Sequence, residues 1–188
     1  MRIEEYSPRW QAKVSALADR VLGTGFFESP AQIQRDAASC VFVAIDKQDE
    51  VAGFVRGRLL PKDGLGDFLE HRLPEIPEDL HQADAEGALG VIQTVVVSPE
   101  HQGKGLGTKL LQIVHDRVIG RGADKLIVTF KRESRAAHVD RLMEKLGFAF
   151  WLRLETYWRR RCDLGEFACV DRGETCTCEA VFYRKKVF

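Results

Sequence analysis

The chain has no net charge, no long apolar run and no paired cysteine knuckle, and each absence removes a class of function. Lys plus Arg and Asp plus Glu both number 28, so the formal charge at pH 7 is zero. A nucleic-acid-binding domain carries a basic excess to neutralise phosphates, so no nucleic-acid partner is expected here. No apolar run approaches the roughly 20 residues that span a bilayer, and no membrane association is expected. The first residues, Met1 to Tyr6, include Glu4 and Glu5 and lack the apolar stretch of a secretory leader, which makes a cytoplasmic location the expectation. The five cysteines contain no Cys-x-x-Cys pair, so the usual structural-zinc spacing is missing and no metal ligand set is assigned. Two common phosphate loops also fail. A dinucleotide turn needs Gly-x-Gly-x-x-Gly, whereas Gly103, Gly105 and Gly107 alternate. A P-loop needs Gly-Lys followed by Ser or Thr, whereas Gly103-Lys104 is followed by Gly105.

What is present fits one globular domain over residues 1–188, with 45% hydrophobic and 30% charged residues. Periodicity predicts a short strand over 2–6 and a helix from Ser7-Pro8 with Trp10, Val14, Leu17 and Val21 on one stripe. Gly23 and Gly25 end it, and Ser29-Pro30 opens a second helix to about Ala38. Strands at 40–45 and 51–60 form a hairpin. Residues 61–86 read as an excursion with little periodicity beyond a short helix near 67–72, and a stretch of that length is functional or mobile. A strand over 87–97, a helix to about Gly120 and a strand over 124–130 make a β-α-β unit that implies parallel pairing. A helix over 134–146 ends at Gly147, and strands at 148–158 and 178–183 flank a cysteine-bearing loop at 162–178.

The most informative stretch is Val95-Val96-Val97-Ser98-Pro99-Glu100-His101-Gln102-Gly103-Lys104-Gly105-Leu106-Gly107-Thr108. A β-branched run stops at a proline, and alternate glycines lead into an apolar-periodic helix. Glycine allows a tight turn and a close backbone approach, and the free N–H groups of a helix start attract an anion. A phosphate-bearing ligand follows. This segment resembles the acyl-CoA-binding loop of the GNAT superfamily of N-acetyltransferases. Gln102-Gly103-Lys104-Gly105-Leu106-Gly107 matches its Gln/Arg-x-x-Gly-x-Gly/Ala pattern, Val97-Ser98-Pro99-Glu100 supplies the lead-in, and Gly147-Phe148 and the order of elements agree along nearly the whole chain.

The resemblance implies an α/β (α+β) fold with a mixed, mostly antiparallel central sheet, a splayed parallel strand pair and flanking helices. It implies acetyl-CoA as cosubstrate and direct transfer of the acetyl group to an amine in a ternary complex. Val95 and Val97 would bond the pantetheine arm through their backbone, and an N–H near Val95 or Val96 would polarise the thioester carbonyl. The N–H groups from Gln102 through Gly103, Lys104, Gly105, Leu106 and Gly107 to Thr108 would cradle the pyrophosphate. Lys104, Lys109, Arg132 and Arg135 would add charge near the phosphates, or simply be solvated.

Three positions depart from the family pattern. Gln93 stands where many members carry a glutamate base, and an amide cannot take a proton. Met143 stands where many carry a tyrosine beside the departing thiolate, and Ala136 where an asparagine is frequent. The catalytic residues are therefore left unassigned. His81, Asp84, Glu86, His138 and Tyr157 are the replacements to consider, and orientation with water as proton acceptor is a further route. These departures also keep open an acyl-CoA-binding sensor or regulatory module without turnover.

Residues 61–86 hold eight carboxylates, Asp63, Asp67, Glu70, Glu75, Glu78, Asp79, Asp84 and Glu86, against Lys62 and Arg72. An acidic excursion on the acceptor side would favour a cationic small molecule or a basic peptide as the amine. Solubility alone also explains it. Phe26 and Phe27 would wall the same pocket or anchor the core. Cys162, Cys169, Cys176 and Cys178 are open to zinc ligation, to a redox pair or to the role of free structural thiols, and Cys40 reads as core. Trp151, Trp158 and Phe182 supply apolar material through which a homodimer could pair its terminal strands.

Overall fold

The computed structural model describes residues 1–25, 38–70, 75–131, 136–166, 168 and 178–187, and gives the backbone alone for residues 136–138. The expected helix at 29–38, Phe26, Phe27, Arg132, Arg135, Cys169, Cys176 and the His138 side chain lie outside that set.

Seven strands form one sheet in the order β1-β2-β3-β4-β5-β7-β6. They are β1 (Arg2–Glu5), β2 (Ser39–Ile45), β3 (Val51–Leu59), β4 (Leu89–Val97), β5 (Lys125–Lys131), β6 (Ala149–Leu154) and β7 (Ala180–Lys186). Every neighbouring pair is antiparallel except β4 and β5, which run parallel. The expected mixed sheet with one parallel pair is present. Six helices are seen among the described residues: α1 (Gln11–Val21), α2 (Leu65–Phe68), α3 (Glu78–Glu86), α4 (Leu106–Ile119), α5 (Ala136–Lys145) and α6 (Arg159–Asp163). None is long and apolar enough to cross a membrane.

Alternation along the strands sorts side chains to two faces. On one face α4 presents Leu106, Leu110, Leu111, Val114 and Val118 to Phe42, Val55, Ile92, Leu126 and Val128. Complete burial of such side chains contributes about 1.5–3 kcal/mol each, which makes α4 the main anchor of this side. On the opposite face α1 lays Val14, Leu17 and Ala18 over Val43, Phe54 and Val96. Further along that face, α2 and α3 bury Leu65, Phe68, Leu80 and Ala83 with Leu89, Val91, Ile127 and Phe182.

The excursion at 61–86 is more ordered than its sequence suggests, since α2 and α3 both lie in it. Residues 78–86 form a helix although only Leu80, Ala83 and Asp84 of the nine are buried. Glu78 and Asp79 occupy the first turn, where the helix dipole favours acids, and Gly87 ends the helix at φ 72°. The end of the chain also differs. The strand predicted to 158 stops at Leu154, and Tyr157 and Trp158 sit in the turn before α6. Two of the three aromatics expected to support a homodimer belong to the core instead: Phe182 is fully buried and Trp158 nearly so. Trp151 packs edge-on against Phe182.

Candidate active site

Parallel pairing of β4 and β5 runs from Leu89↔Lys125 to Ile92↔Val128 and ends there. Beyond it β4 stays with β3 as far as Val97↔Gly53, and β5 stays with β7 as far as Lys131↔Ala180. A gap therefore opens between Gln93–Val97 and Thr129–Lys131, with Gln93 and Thr129 at its apex. The Ser98 N–H bonds Ala52 O on β3 at 2.9 Å. By alternation the N–H and C=O of Val96 also face β3, while those of Val95 and Val97 face the gap. The expected backbone role is thus open to Val95 and Val97. Val96 is not placed to offer its N–H to a thioester, because that group lies in the β3 ladder.

At the mouth of the gap the chain makes a short 3-10 turn at Pro99–His101 and enters α4 through the glycines. Ser98 Oγ lies 2.8 Å from His101 Nδ1, and Gln102 Nε2 donates to Val97 O at 3.1 Å. Gln102 therefore ties the loop to the end of β4. Gly103 and Gly105 have φ of +73° and +78°, and a Cβ on either would meet nothing within 4 Å. Their glycine is a demand of backbone conformation, and the space above them is open. Gly107 has helical backbone, and a Cβ there would make only an ordinary 3.6 Å contact with Val97. Leu106 is buried under α4 and Thr108 is half-buried in its first turn. The N–H groups of this first turn have no intrahelical acceptor, and they point out over the glycines. Lys104 is exposed, and its ammonium donates to Glu100 O at 2.9 Å. Lys109 lines a separate cavity of about 570 Å³ between α4 and the end of α5, with Lys145, Phe148 and Lys185.

On the sheet face opposite α4 lies a cleft of about 270 Å³. Its floor is polar: Arg56 and Arg58 from β3, Gln93 and Thr94 from β4, and Thr129 from β5. A β-bulge explains how two consecutive β4 residues share it. Arg56 pairs with Thr94 and Gly57 with Ile92, so Gln93 is the extra residue and alternation restarts one position late. The walls come from Asp67, Phe68 and Glu70 beside α2, and from Tyr157, Trp158 and Arg161 around the start of α6. Three buried oxygens on this lining, Gln93 Oε1, Thr129 Oγ1 and Glu70 Oε2, have no hydrogen-bond partner among the described residues. Arg56 is only 7% exposed, and its Nε donates to Ser39 Oγ at 3.2 Å.

The replacement bases read from sequence are elsewhere or already engaged. His81 is exposed on α3, as is Glu86, which accepts from Gln82 Nε2 at 3.0 Å. Asp84 is buried and accepts the Leu65 N–H at 3.0 Å, which fastens α2 to α3. Burial pushes its carboxyl above the ordinary range, and its bonds to the Leu65 and Gly64 backbone oppose that rise. Tyr157 does reach the cleft, but its hydroxyl donates to Phe68 O at 2.6 Å. Met143 is fully buried in the α4-side core and contributes packing only.

Of the eight acidic residues in the excursion, only Asp67 and Glu70 line the cleft. Asp79 pairs with Arg184 at 2.8 Å, and Asp63, Glu75 and Glu78 are exposed. The three arginines were missed, although Arg56 and Arg58 at alternate positions between buried strand residues mark a polar stripe on an inner face. No group of three or more His, Cys, Asp or Glu able to hold a metal is found among the described residues. Cys162 and Cys178 are half-buried and pack against the α2–α3 side of the core. Cys40 is core, its thiol donating to Gly57 O at 3.3 Å, with its pKa raised by burial.

The model of the acetyltransferase (GNAT) family matches residues 3–148. Among solved structures, the chain is similar to Naa20 of Chaetomium thermophilum in complex with a bisubstrate analogue, at TM-score 0.68 and 17% identity over 100% of this chain and 87% of that one. It is also similar to the ribosomal-protein-S18-alanine N-acetyltransferase of Escherichia coli (TM-score 0.61, 15% identity, 99% and 93% covered). A third is the IAA acetyltransferase of Bacillus cereus (TM-score 0.57, 20% identity, 99% of each chain covered). At these identities the likeness is one of fold. No curated protein is a significant sequence match.

Proposed function

Because the chain belongs to the GNAT acetyltransferase family, we propose that it binds acetyl-CoA along the β4–β5 gap and transfers the acetyl group directly to an amine held in the cleft on the other sheet face. The observation that carries this reading is the coincidence of three features. Parallel pairing stops at Ile92↔Val128, the Val95 and Val97 backbone faces the opening, and α4 begins with two left-handed glycines at its mouth. An extended pantetheine chain can complete the edge that β4 presents, as a peptide does in strand addition. The N–H groups from Gly103 to Thr108 suit the pyrophosphate, with Lys109, Lys145 and Lys185 beside the nucleotide. The Val95 N–H is the donor placed to stabilise negative charge on the thioester oxygen.

Acceptor and thioester would meet at the apex, where Gln93 and Thr129 reach into the cleft. Gln93 can hold the acceptor or a water there but cannot act as a base. Orientation of the two reactants in one site then supplies a large share of the rate, since well-placed intramolecular reactions reach effective molarities of about 10⁵–10⁸ M. The test is calorimetric titration of acetyl-CoA and of CoA, with thiol release followed on the same sample across a panel of amines. Binding with amine-dependent release is expected. Binding without release under every amine favours an acyl-CoA sensor, and absence of binding refutes the assignment of the gap.

A further inference from the structure

Resting on that reading, we propose that Glu70 Oε2, Gln93 Oε1 and Thr129 Oγ1 form the seat of the acceptor nitrogen, that the acceptor is a small primary amine, and that Glu70 takes its proton. All three oxygens are buried on the lining of one cleft, and none has a hydrogen-bond partner among the described residues. A buried oxygen without a donor is costly, and three on one lining repeat a cost that an arriving donor would relieve. The charged neighbours are occupied elsewhere. Arg56 turns Nε to Ser39 Oγ, Arg161 pairs with Glu166, and Arg58 and Asp67 are each engaged as well. A primary ammonium carries three N–H groups in a tetrahedral fan, one for each oxygen. An N-methyl amine would leave one oxygen unmatched and an alcohol two. The volume, about 270 Å³, suits a small molecule.

Position is the second argument. Ile92 and Val128 are the last residues that β4 and β5 pair, so Gln93 and Thr129 begin the two arms of the gap. A nitrogen seated on them lies at the apex, where the acceptor would meet the thioester. The bulge is what turns Gln93 into the cleft. Glu70 comes from the wall. It follows α2 at φ +53°, a left-handed position at a helix end that usually falls to glycine. Leu69 is fully buried and the Glu70 N–H bonds Asp67 O at 3.0 Å, so the strained turn is fixed and holds a carboxylate at the cleft. The proton balance closes. One ammonium proton passes to the Glu70 carboxylate, and the freed nitrogen pair attacks the thioester carbon. The C–S bond breaks, a second nitrogen proton leaves with the CoA thiolate as thiol, the third stays on the amide, and Glu70 returns its proton to solvent.

The experiment follows thiol release by the intact chain from acetyl-CoA with benzylamine and butylamine, with their N-methyl counterparts, and with methoxyamine. Each primary amine should exceed its N-methyl counterpart in kcat/KM by about tenfold or more, the effect of one buried oxygen left unmatched. Thr129→Val removes one oxygen at nearly constant shape. The preference should then shrink by about fivefold or more, while Tm holds or rises because the free protein sheds an unpaired hydroxyl. An intact preference, or a lower Tm, overturns the seat. Glu70→Gln keeps an oxygen for the nitrogen but takes no proton. It should lose about 100-fold in kcat with benzylamine and less than about tenfold with methoxyamine, whose nitrogen is already unprotonated at neutral pH. Equal losses, or none, overturn the assignment of the proton to Glu70. In each of these failures, amine-dependent release by the native chain leaves the transferase reading standing. If no amine releases thiol, titration of benzylamine and N-methylbenzylamine into CoA-saturated protein decides. Tighter binding of the primary amine, lost in Thr129→Val, supports the seat, and equal or absent binding overturns it.

Discussion

Substituting alanine at Gly105 and at Gly107 should move stability in opposite directions, although both glycines belong to one motif. Gly105 has φ 78° and ψ 4° in the position before the first turn of α4, and a Cβ there would touch nothing within 4 Å. The cost of Gly105→Ala is therefore conformational alone. A left-handed L-residue costs about 1–2 kcal/mol. The smaller unfolded-state entropy of alanine returns about 0.5 kcal/mol, leaving a net loss of about 1 kcal/mol. For a chain of this size that is a fall in Tm of about 2–4 °C. Gly107 already has helical backbone and its new Cβ would rest 3.6 Å from Val97 Cγ2, an ordinary contact. Gly107→Ala should then gain about 0.5–1 kcal/mol from helix propensity. Its Tm should rise by about 1–4 °C. Calorimetric unfolding of the three proteins without ligand measures both signs. A fall at both positions, or no change at Gly105, refutes the division into one conformational and one dispensable glycine. Acetyl-CoA titration of the same variants adds the functional half. Affinity should drop for Gly105→Ala, whose altered turn redirects the N–H groups that follow it.

Gly90→Ala tests packing between the sheet and α4. Its Cβ would lie 2.4 Å from Val118 Cγ1 and 2.7 Å from Leu126 Cδ2, both in a fully buried layer, so a loss of about 1–3 kcal/mol or more is expected in denaturant unfolding. A change below about 0.5 kcal/mol contradicts the close approach, since that is the range of surface substitutions. Glu4 gives a pH dependence. Its carboxylate accepts from Arg9 and from Trp10 Nε1, and these bonds hold its pKa down at about 2 from an ordinary 4.5. A depressed carboxyl contributes stability above its unfolded pKa and loses it as pH falls toward the folded one. The difference in Tm between the native chain and Glu4→Gln should be fully developed above pH 4.5 and vanish as pH approaches 2. A difference that persists unchanged at the acid end contradicts the assignment.

The glycine loop was legible because its constraint is compositional: only glycine enters the left-handed region freely, and Gly103 and Gly105 occupy it. The sheet was legible because strand alternation and the β-α-β spacing around α4 restrict the topology to few choices. Helix α3 was hidden because it buries only two apolar residues, Leu80 and Ala83, on a short acidic stretch, so its stability comes from docking and from the Asp84 contact with α2, neither of which leaves a periodic trace. The cleft was hidden for a different reason. Glu70, Arg56 and Tyr157 come from separate elements, and their meeting depends on the sheet order, in which the last strand inserts between β5 and β6. The matched family segment ends at residue 148, before Tyr157, Trp158 and Arg161 are supplied.

The bulge at Gln93 links the two halves of the site. Below it, Leu89 and Val91 face the α2–α3 layer, and above it Val96 faces α1 on the same side of the sheet, an odd-to-even change of parity that alternation alone forbids. The extra residue absorbs the change. It allows Val95 and Val97 to pack toward α4 while Gln93 and Thr94 both turn into the cleft. It also falls directly after Ile92, the last β4 residue paired with β5, so the local kink and added twist of a bulge coincide with the point where the strands part. Removing that one residue would carry Val95 and Val97 to the cleft side and leave Val96 under α4, exchanging the faces of the strand's upper half. One inserted residue therefore sets the gap's apex, the polar cleft floor and the facing of the valines.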